Sequence, residues 1–249
     1  MKRAVLTTVV LAVTLSAGGC FNIQREHKEV FYYQLEYDPP RLDVSPHKDV
    51  VVRVSNFNVA PSYQSQKILY STSTLKRKMY DYHLWVVNPG DMLTDLIMRD
   101  LISSGVYQAV VDMRSSVNPN YELEGIVERI YEKDHEDTWN SVLYLRCVFF
   151  SYHGGKHVLF QKEYQEAVPA ATRDPNAVVA AMSEAARRVS RRVQVDALRR
   201  RHRLRNLQSR AAAGIAVVLP RRRLRLLRQD LRSAFSRGRT RGSCATRAR

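Results

Sequence analysis

Residues 142–167 read VLYLRCVFFSYHGGKHVLFQKEYQEA. Val142 to Tyr152 is a strand-length run of apolar and aromatic residues. His153-Gly154-Gly155-Lys156 follows as a tight turn, because two glycines supply the positive φ that a two-residue hairpin needs. His157 to Ala167 then returns as a second strand. Upstream, Tyr121, Leu123, Gly125, Val127, Arg129 and Tyr131 alternate with Glu122, Glu124, Ile126, Glu128 and Ile130. The alternation is partial, as expected of a half-buried strand. Lys133 to Asn140 is polar and reads as a turn or a long hairpin tip. The stretch therefore predicts an antiparallel meander.

Two helices complete this core. Asn88 is placed to be an N-cap, Pro89 the first helical residue and Asp91 the acidic N3 partner. Met92, Leu93, Leu96, Ile97, Leu101 and Ile102 form one apolar stripe, and Gly105 suits the C-cap. Asp174 and Pro175 open the second helix, with Val178, Val179, Met182, Ala186, Val189 and Val193 on one face. Shorter strands are expected at Phe31–Tyr37, Asp49–Val59 and Tyr107–Val111, with a hairpin of Lys67–Ser71 and Tyr80–Val87 around the TSTLKRK segment. The expected fold is α+β: a single domain whose antiparallel-rich sheet is packed by two amphipathic helices, followed by a basic C-terminal tail. The sequence contains no internal repeat.

The N-terminus sets the expected location. Lys2 and Arg3 precede the apolar run Ala4–Leu15, and small residues lead to Cys20. Residues 1–19 read as a secretory signal peptide, too short in its apolar part for a comfortable membrane span. The Cys after the small residues resembles a bacterial lipobox, although Ala17 stands where Leu is commonest. Acylation at Cys20 is the expected consequence, with residues 20–29 as the tether and residues 30–196 as the folded domain. The alternative is an ordinary signal peptide that ends near a Cys. By the sorting rule of such lipoproteins, Phe21 rather than Asp in the next position points to the outer membrane, with the domain on its periplasmic face.

The net charge of +16 suggests nucleic acid at first sight. Its distribution removes that reading. Residues 197–249 hold 17 Arg, no Lys and a single acid, Asp230, whereas residues 1–196 carry 23 basic and 23 acidic residues. An exported chain with no reading element gives nucleic acid little to recognise. The tail reads either as a frameshift-derived extension without a selected fold or as a basic amphipathic segment for anionic headgroups, with Leu204, Leu207, Leu224, Leu227, Leu231 and Phe235 as its apolar face.

No catalytic constellation is present. There is no G-x-S-x-G elbow, no H-E-x-x-H and no phosphate-binding loop, so a nonenzymatic role is expected. Neither a metal nor a soluble cofactor is expected, only the covalent lipid on Cys20. His153 and His157 flank the Gly-Gly turn and read as a solvated hairpin end, since two imidazoles make a weak metal site. Glu132, Asp134, His135, Glu136 and Asp137 read as a hydrated acidic loop rather than a cation site. Cys147 reads as a buried small hydrophobe, and no disulfide framework is implied.

Tyr80, Tyr82, His83 and Trp85 place several amphipathic side chains on one strand-like segment and are the candidate partner interface. A core role competes with this, in which Trp85 and Tyr82 pack the sheet on the 89–104 helix and His83 is half-buried. The surrounding YDYHLWVVNPGDMLTD (residues 80–95), together with the early YYQLEY, VDMRSS at residues 111–116 and the lipobox, resembles the ABC-type transport auxiliary lipoproteins of the PqiC/YmbA-like kind over about residues 20–195. The Arg-rich tail is a departure from that family. The resemblance implies a non-catalytic, outer-membrane-anchored accessory that docks an MCE-domain protein of an ABC permease/ATPase system moving lipid between membranes. It leaves open a lipid-binding carrier and an outer-membrane β-barrel assembly lipoprotein. A homo-oligomeric ring is also left open.

Overall fold

The hairpins around residues 121–169 dominate the sheet. The computed structural model describes residues 28–44, 47–135 and 138–212. Three long strands, β7 (Tyr121–His135), β8 (Thr138–Ser151) and β9 (His157–Pro169), pair in sequence as antiparallel neighbours. Gly154 and Gly155 have φ of +74° and +117°, the left-handed backbone that side chains resist. The strands run further than their apolar pattern, since Lys133 and Asp134 pair with Asn140 and Trp139. Ladder hydrogen bonds hold this polar extension. Of the residues read as a turn, 133–135 and 138–140 are strand, and residues 136–137 lie outside the described residues.

Shorter strands line the other edge of β7. These are β2 (His47–Val54), β3 (Asn58–Val59) and β4 (Lys67–Ser71), all parallel to it. A 3-10 turn at Pro61–Tyr63 joins β3 to β4. Beyond β4 come β5 (Lys78–Trp85) and then the edge strand β1 (Phe31–Tyr33), while β6 (Tyr107–Val111) flanks β2. Among the described residues five strand pairs are parallel and three antiparallel, but the antiparallel ones include both long ladders. The sheet is mixed and the domain α+β.

The run expected as one strand at Asp49–Val59 breaks after Val54, and Phe57 explains the break. Its ring lies against Gly125, where an added Cβ would sit 2.7 Å from the ring. Its backbone N–H donates to Thr94 Oγ1 at 2.8 Å. Gly90 meets the same residue from the helix side, with an added Cβ only 2.3 Å from the Phe57 carbonyl oxygen. Phe57 is 4% exposed, so Gly125→Ala must displace a packed ring. We expect a loss of about 2 kcal/mol, read as a lowered urea midpoint at unchanged slope.

The first helix, α1 (Pro89–Ser103), is capped as expected: Asn88 Oδ1 accepts from Gly90 N at 2.8 Å. Met92, Leu93, Leu96, Ile97 and Leu101 are buried, but Ile102 is 56% exposed. Gly105 closes the turn at φ +61°. The second, α2 (Pro175–Ala212), begins with Ala177 N donating to Asp174 Oδ1 at 3.0 Å. It lies across β8 and β9, and it touches α1. Its helical backbone continues past Asp196, and Ala197, Leu198 and Arg201 are buried. The Arg-rich segment therefore contributes its first turns to the fold, while residues 213–249 lie outside the described residues. Cys147 is fully buried, which pushes its thiol far above the usual range and keeps it protonated.

Candidate interaction surface at the β1–β5 edge

The strand β5 carries all four residues singled out from the sequence, and the sheet gives them different environments. It lies between β4 and β1, with Phe31, Tyr32 and Tyr33 in parallel register beside His83, Leu84 and Trp85. The β4–β5 ladder is irregular between Lys67↔Leu84 and Leu69↔Met79. Strict alternation would put Tyr80 and His83 on opposite faces. Here the irregularity lets their rings meet edge to face, with centroids 5.3 Å apart.

His83 is the centre of an aromatic cluster. Phe31 stacks on it with centroids 5.5 Å apart and a 13° interplanar angle, and Tyr33 lies tilted at 5.6 Å. The Tyr33 hydroxyl and His83 Nδ1 are 2.9 Å apart. Burial lowers the imidazole pKa, so His83 is a neutral, hydrogen-bonded platform residue near neutral pH. Tyr80 packs on Tyr70 at 4.6 Å and donates its hydroxyl to Glu132 Oε2 at 2.8 Å. Burial and that carboxylate raise the Tyr80 pKa well beyond the ordinary phenol range.

Glu132 is 1% exposed, not part of a hydrated loop as its acidic neighbours suggested. Tyr80 bonds one oxygen, and Oε1 has no hydrogen-bond partner among the described residues. Burial pushes its pKa up to about 7; the Tyr80 bond opposes this and nearby Asp134 adds to it. Asp134 is half-buried, and Glu136 and Asp137 lie outside the described residues.

Trp85 requires a correction. At 2% exposed it is part of the core and offers nothing to a partner. Its position opposite Tyr33, just before the capped start of α1, seals the sheet. Tyr82 does not share that role: it is 39% exposed, with the Lys28 ammonium 5.3 Å above its ring. The rest of the exposed surface comes from residues outside the four singled out, of which Phe31 and Tyr32 read only as strand. Phe31 and Tyr32 on β1 and Met79 on β5 are exposed, as is Val30 just before β1. Their signal was the aromatic density of the first strand, but only its pairing beside β5 joins the two segments. Among the described residues β1 has one strand neighbour, which leaves its outer edge free to accept another strand.

No set of three His, Cys, Asp or Glu side chains converges as a metal site among the described residues. His153 stands edge-on to the Tyr121 ring, and His157 turns Nε2 toward the Gly154 carbonyl oxygen at 3.3 Å. No described helix is long and apolar enough to cross a membrane. Cys20 lies outside the described residues.

Residues 33–194 match the family model of the ABC-type transport auxiliary lipoprotein component. The fold is similar to the crystal structure of protein XCC0632 from Xanthomonas campestris, with a TM-score of 0.61 at 19% identity, covering 66% of this chain and 92% of that one. It is also similar to the crystal structure of an uncharacterized protein, with a TM-score of 0.54 at 14% identity, covering 68% of this chain and 99% of the other. No curated protein sequence matches the chain. With the family match running from Tyr33 in the edge strand β1 to Gln194 in α2, the chain belongs to the ABC-type transport auxiliary lipoproteins.

Proposed function

We propose that this protein is a non-catalytic accessory of an intermembrane lipid transporter, anchored by lipid on Cys20 to the periplasmic face of the outer membrane. Its domain docks an MCE-domain protein of the ABC permease/ATPase complex, and ATP is hydrolysed by another subunit. One observation carries this reading: the edge strand β1 and its neighbour β5 expose Phe31, Tyr32, Met79 and Tyr82 on a domain of a transport-auxiliary family. Exposed aromatics with polar tips suit a protein interface, and a free strand edge suits strand addition. In sequence, the edge strand begins just after the proposed tether of residues 20–29.

Two measurements test this. Cys20→Ala is expected to move the protein from the membrane fraction to the soluble periplasmic fraction. Retention in membranes after a high-salt wash sinks the lipid anchor. Crosslinking in cells followed by gentle detergent pull-down is expected to recover an MCE-domain protein, and Tyr32→Glu with Tyr82→Glu is expected to lose it. Recovery of an outer-membrane β-barrel alone supports the assembly-lipoprotein reading instead. Phospholipid co-purifying with the Cys20→Ala protein in native mass spectrometry supports the carrier.

A further inference from the structure

Beside β7, on the far side of β4 from the aromatic edge, lies a cleft of about 570 Å³ lined by three cations and one acid. Arg129, Tyr131 and Lys133 project from alternate positions of β7 and line it, so two cations flank one aromatic ring. Arg77 comes in from the β4–β5 loop, with its guanidinium 4.5 Å from the centre of the Tyr131 ring. Tyr63 backs that ring at 6.0 Å, and Ser73 and Thr74 add hydroxyls to the rim. The one acid in the lining is Asp134.

Elsewhere several cations of the domain are paired with acids: Lys67 with Asp81, Lys162 with Asp196 and Arg192 with Glu166. The second cleft, about 440 Å³, shows the contrast: Lys156 bridges Glu122 and Glu124, and Arg146, which also lines it, pairs with Glu128. Arg53, the remaining cation of that lining, is held by the Ser115 and Val117 carbonyl oxygens, so most of the second cleft's cations are balanced by acids. Among the described residues Arg77, Arg129 and Lys133 form no ion pair with an acid. Arg77 is also held in place. Its Nη1 donates to Ser71 Oγ at 2.8 Å and to the Thr74 carbonyl oxygen at 3.3 Å. The Arg129 guanidinium rests 4.8 Å from the Tyr144 ring centre. A positioned cation over an aromatic floor, with two exposed cations and hydroxyls around it, is the chemistry that binds an oxyanion.

We propose that this cleft binds a phosphate group through Arg77, Arg129 and Lys133, either free inorganic phosphate or the phosphate of a lipid headgroup. The inference stands on the cleft alone and is independent of which partner docks at the β1–β5 edge.

The full-length chain is titrated with inorganic phosphate while backbone amide shifts are followed by NMR. Saturable shifts centred on Arg77, Tyr131 and Lys133 are expected. The Arg129→Gln/Lys133→Gln variant changes two exposed side chains and leaves Arg77 to hold its loop. It is expected to weaken that binding about tenfold or more. Any response of the Arg-rich C-terminal segment is common to both proteins and does not produce the difference. Non-saturating shifts, or equal binding by wild type and variant, overturn the proposal. Dihexanoylphosphatidylglycerol below its micelle concentration then identifies the source. Tighter binding than phosphate assigns the site to a headgroup, and equal binding assigns it to the free ion. A response to polyglutamate with none to phosphate overturns the site as a phosphate cleft.

Discussion

Replacing Glu132 by glutamine is expected to stabilise the protein by about 3 kcal/mol at pH 8 and to change it little near pH 4. The carboxyl is 1% exposed, accepts one hydrogen bond and has a folded-state pKa raised to about 7. In the unfolded chain an ordinary glutamate titrates near 4.5. Between those two values the folded state holds a proton that the unfolded state has released. Stability is therefore greatest below about pH 4.5, falls as pH rises and levels off above 7. Between pH 5 and pH 8 this one group removes about 2.5 kcal/mol from the wild type, and the glutamine variant escapes the loss. His83 has the opposite slope, since its lowered pKa removes stability as pH falls, but both proteins share it. Urea midpoints of the pair across pH 4–8 isolate Glu132. Parallel curves would mean that the buried carboxylate has a compensating partner. Tyr80→Phe removes the hydrogen bond that favours the charged form. It should extend the loss to higher pH.

That prediction was invisible in the sequence for a definite reason. Glu132 stands in a run of acids and looks like a member of a solvated loop. Its burial follows from β4 pairing beside it, Tyr70 against Glu132, and from β5 bringing Tyr80 over it. These are parallel and irregular pairings across sixty residues of chain, and no local pattern encodes them. The same holds for the candidate interface. Tyr80–Trp85 was legible as a strand, but alternation alone could not say which rings face water. Packing of the sheet on the rest of the domain decided that, with Trp85 in the core beside Tyr33 and Tyr82 outside. Phe31 and Tyr32 joined the surface only through their register with β5.

The features that were legible are those with local causes. Asn88-Pro89 and Asp174-Pro175 start helices because a side-chain acceptor and a missing N–H both suit a first turn. Gly154-Gly155 makes a hairpin because only glycine takes those φ values readily. The end of the domain was less legible. Charge composition changes at residue 197, yet Ala197, Leu198 and Arg201 are buried. Helical apolar spacing persisted for a further turn beneath the arginines.

Asp100 was missed for a related reason, and Asp100→Ala is expected to cost about 4 kcal/mol. It interrupts the apolar stripe of α1 and reads as a stray acid on an amphipathic helix. In the fold it is fully buried and gathers three elements. Tyr37, beyond β1, donates to its Oδ2 at 2.8 Å, and the Ser190 hydroxyl of α2 donates to the same oxygen. Arg99 donates to Oδ1 through Nη2 at 2.9 Å. Burial and the Asp100 carboxylate push Tyr37 far above the phenol range, so it remains a donor at every accessible pH. Truncating the acid strands two hydroxyls in the interior and leaves a small void. Asn keeps an acceptor and should cost about half as much. Ser190→Ala and Tyr37→Phe alone should each cost about 1 kcal/mol, and either should cost less once Asp100 is gone, by about 1 kcal/mol in a double-mutant cycle. The consequence extends to the docking surface. Tyr37 follows β1 by four residues, with Leu35 buried and Glu36 N–H bonded to Ser183 Oγ at 3.1 Å. Asp100 thus ties the edge strand to the helix layer. Amide exchange at Tyr33–Tyr37 should quicken in Asp100→Ala more than exchange in β8. Equal acceleration throughout would mean that the acid supports only global stability and does not hold the edge.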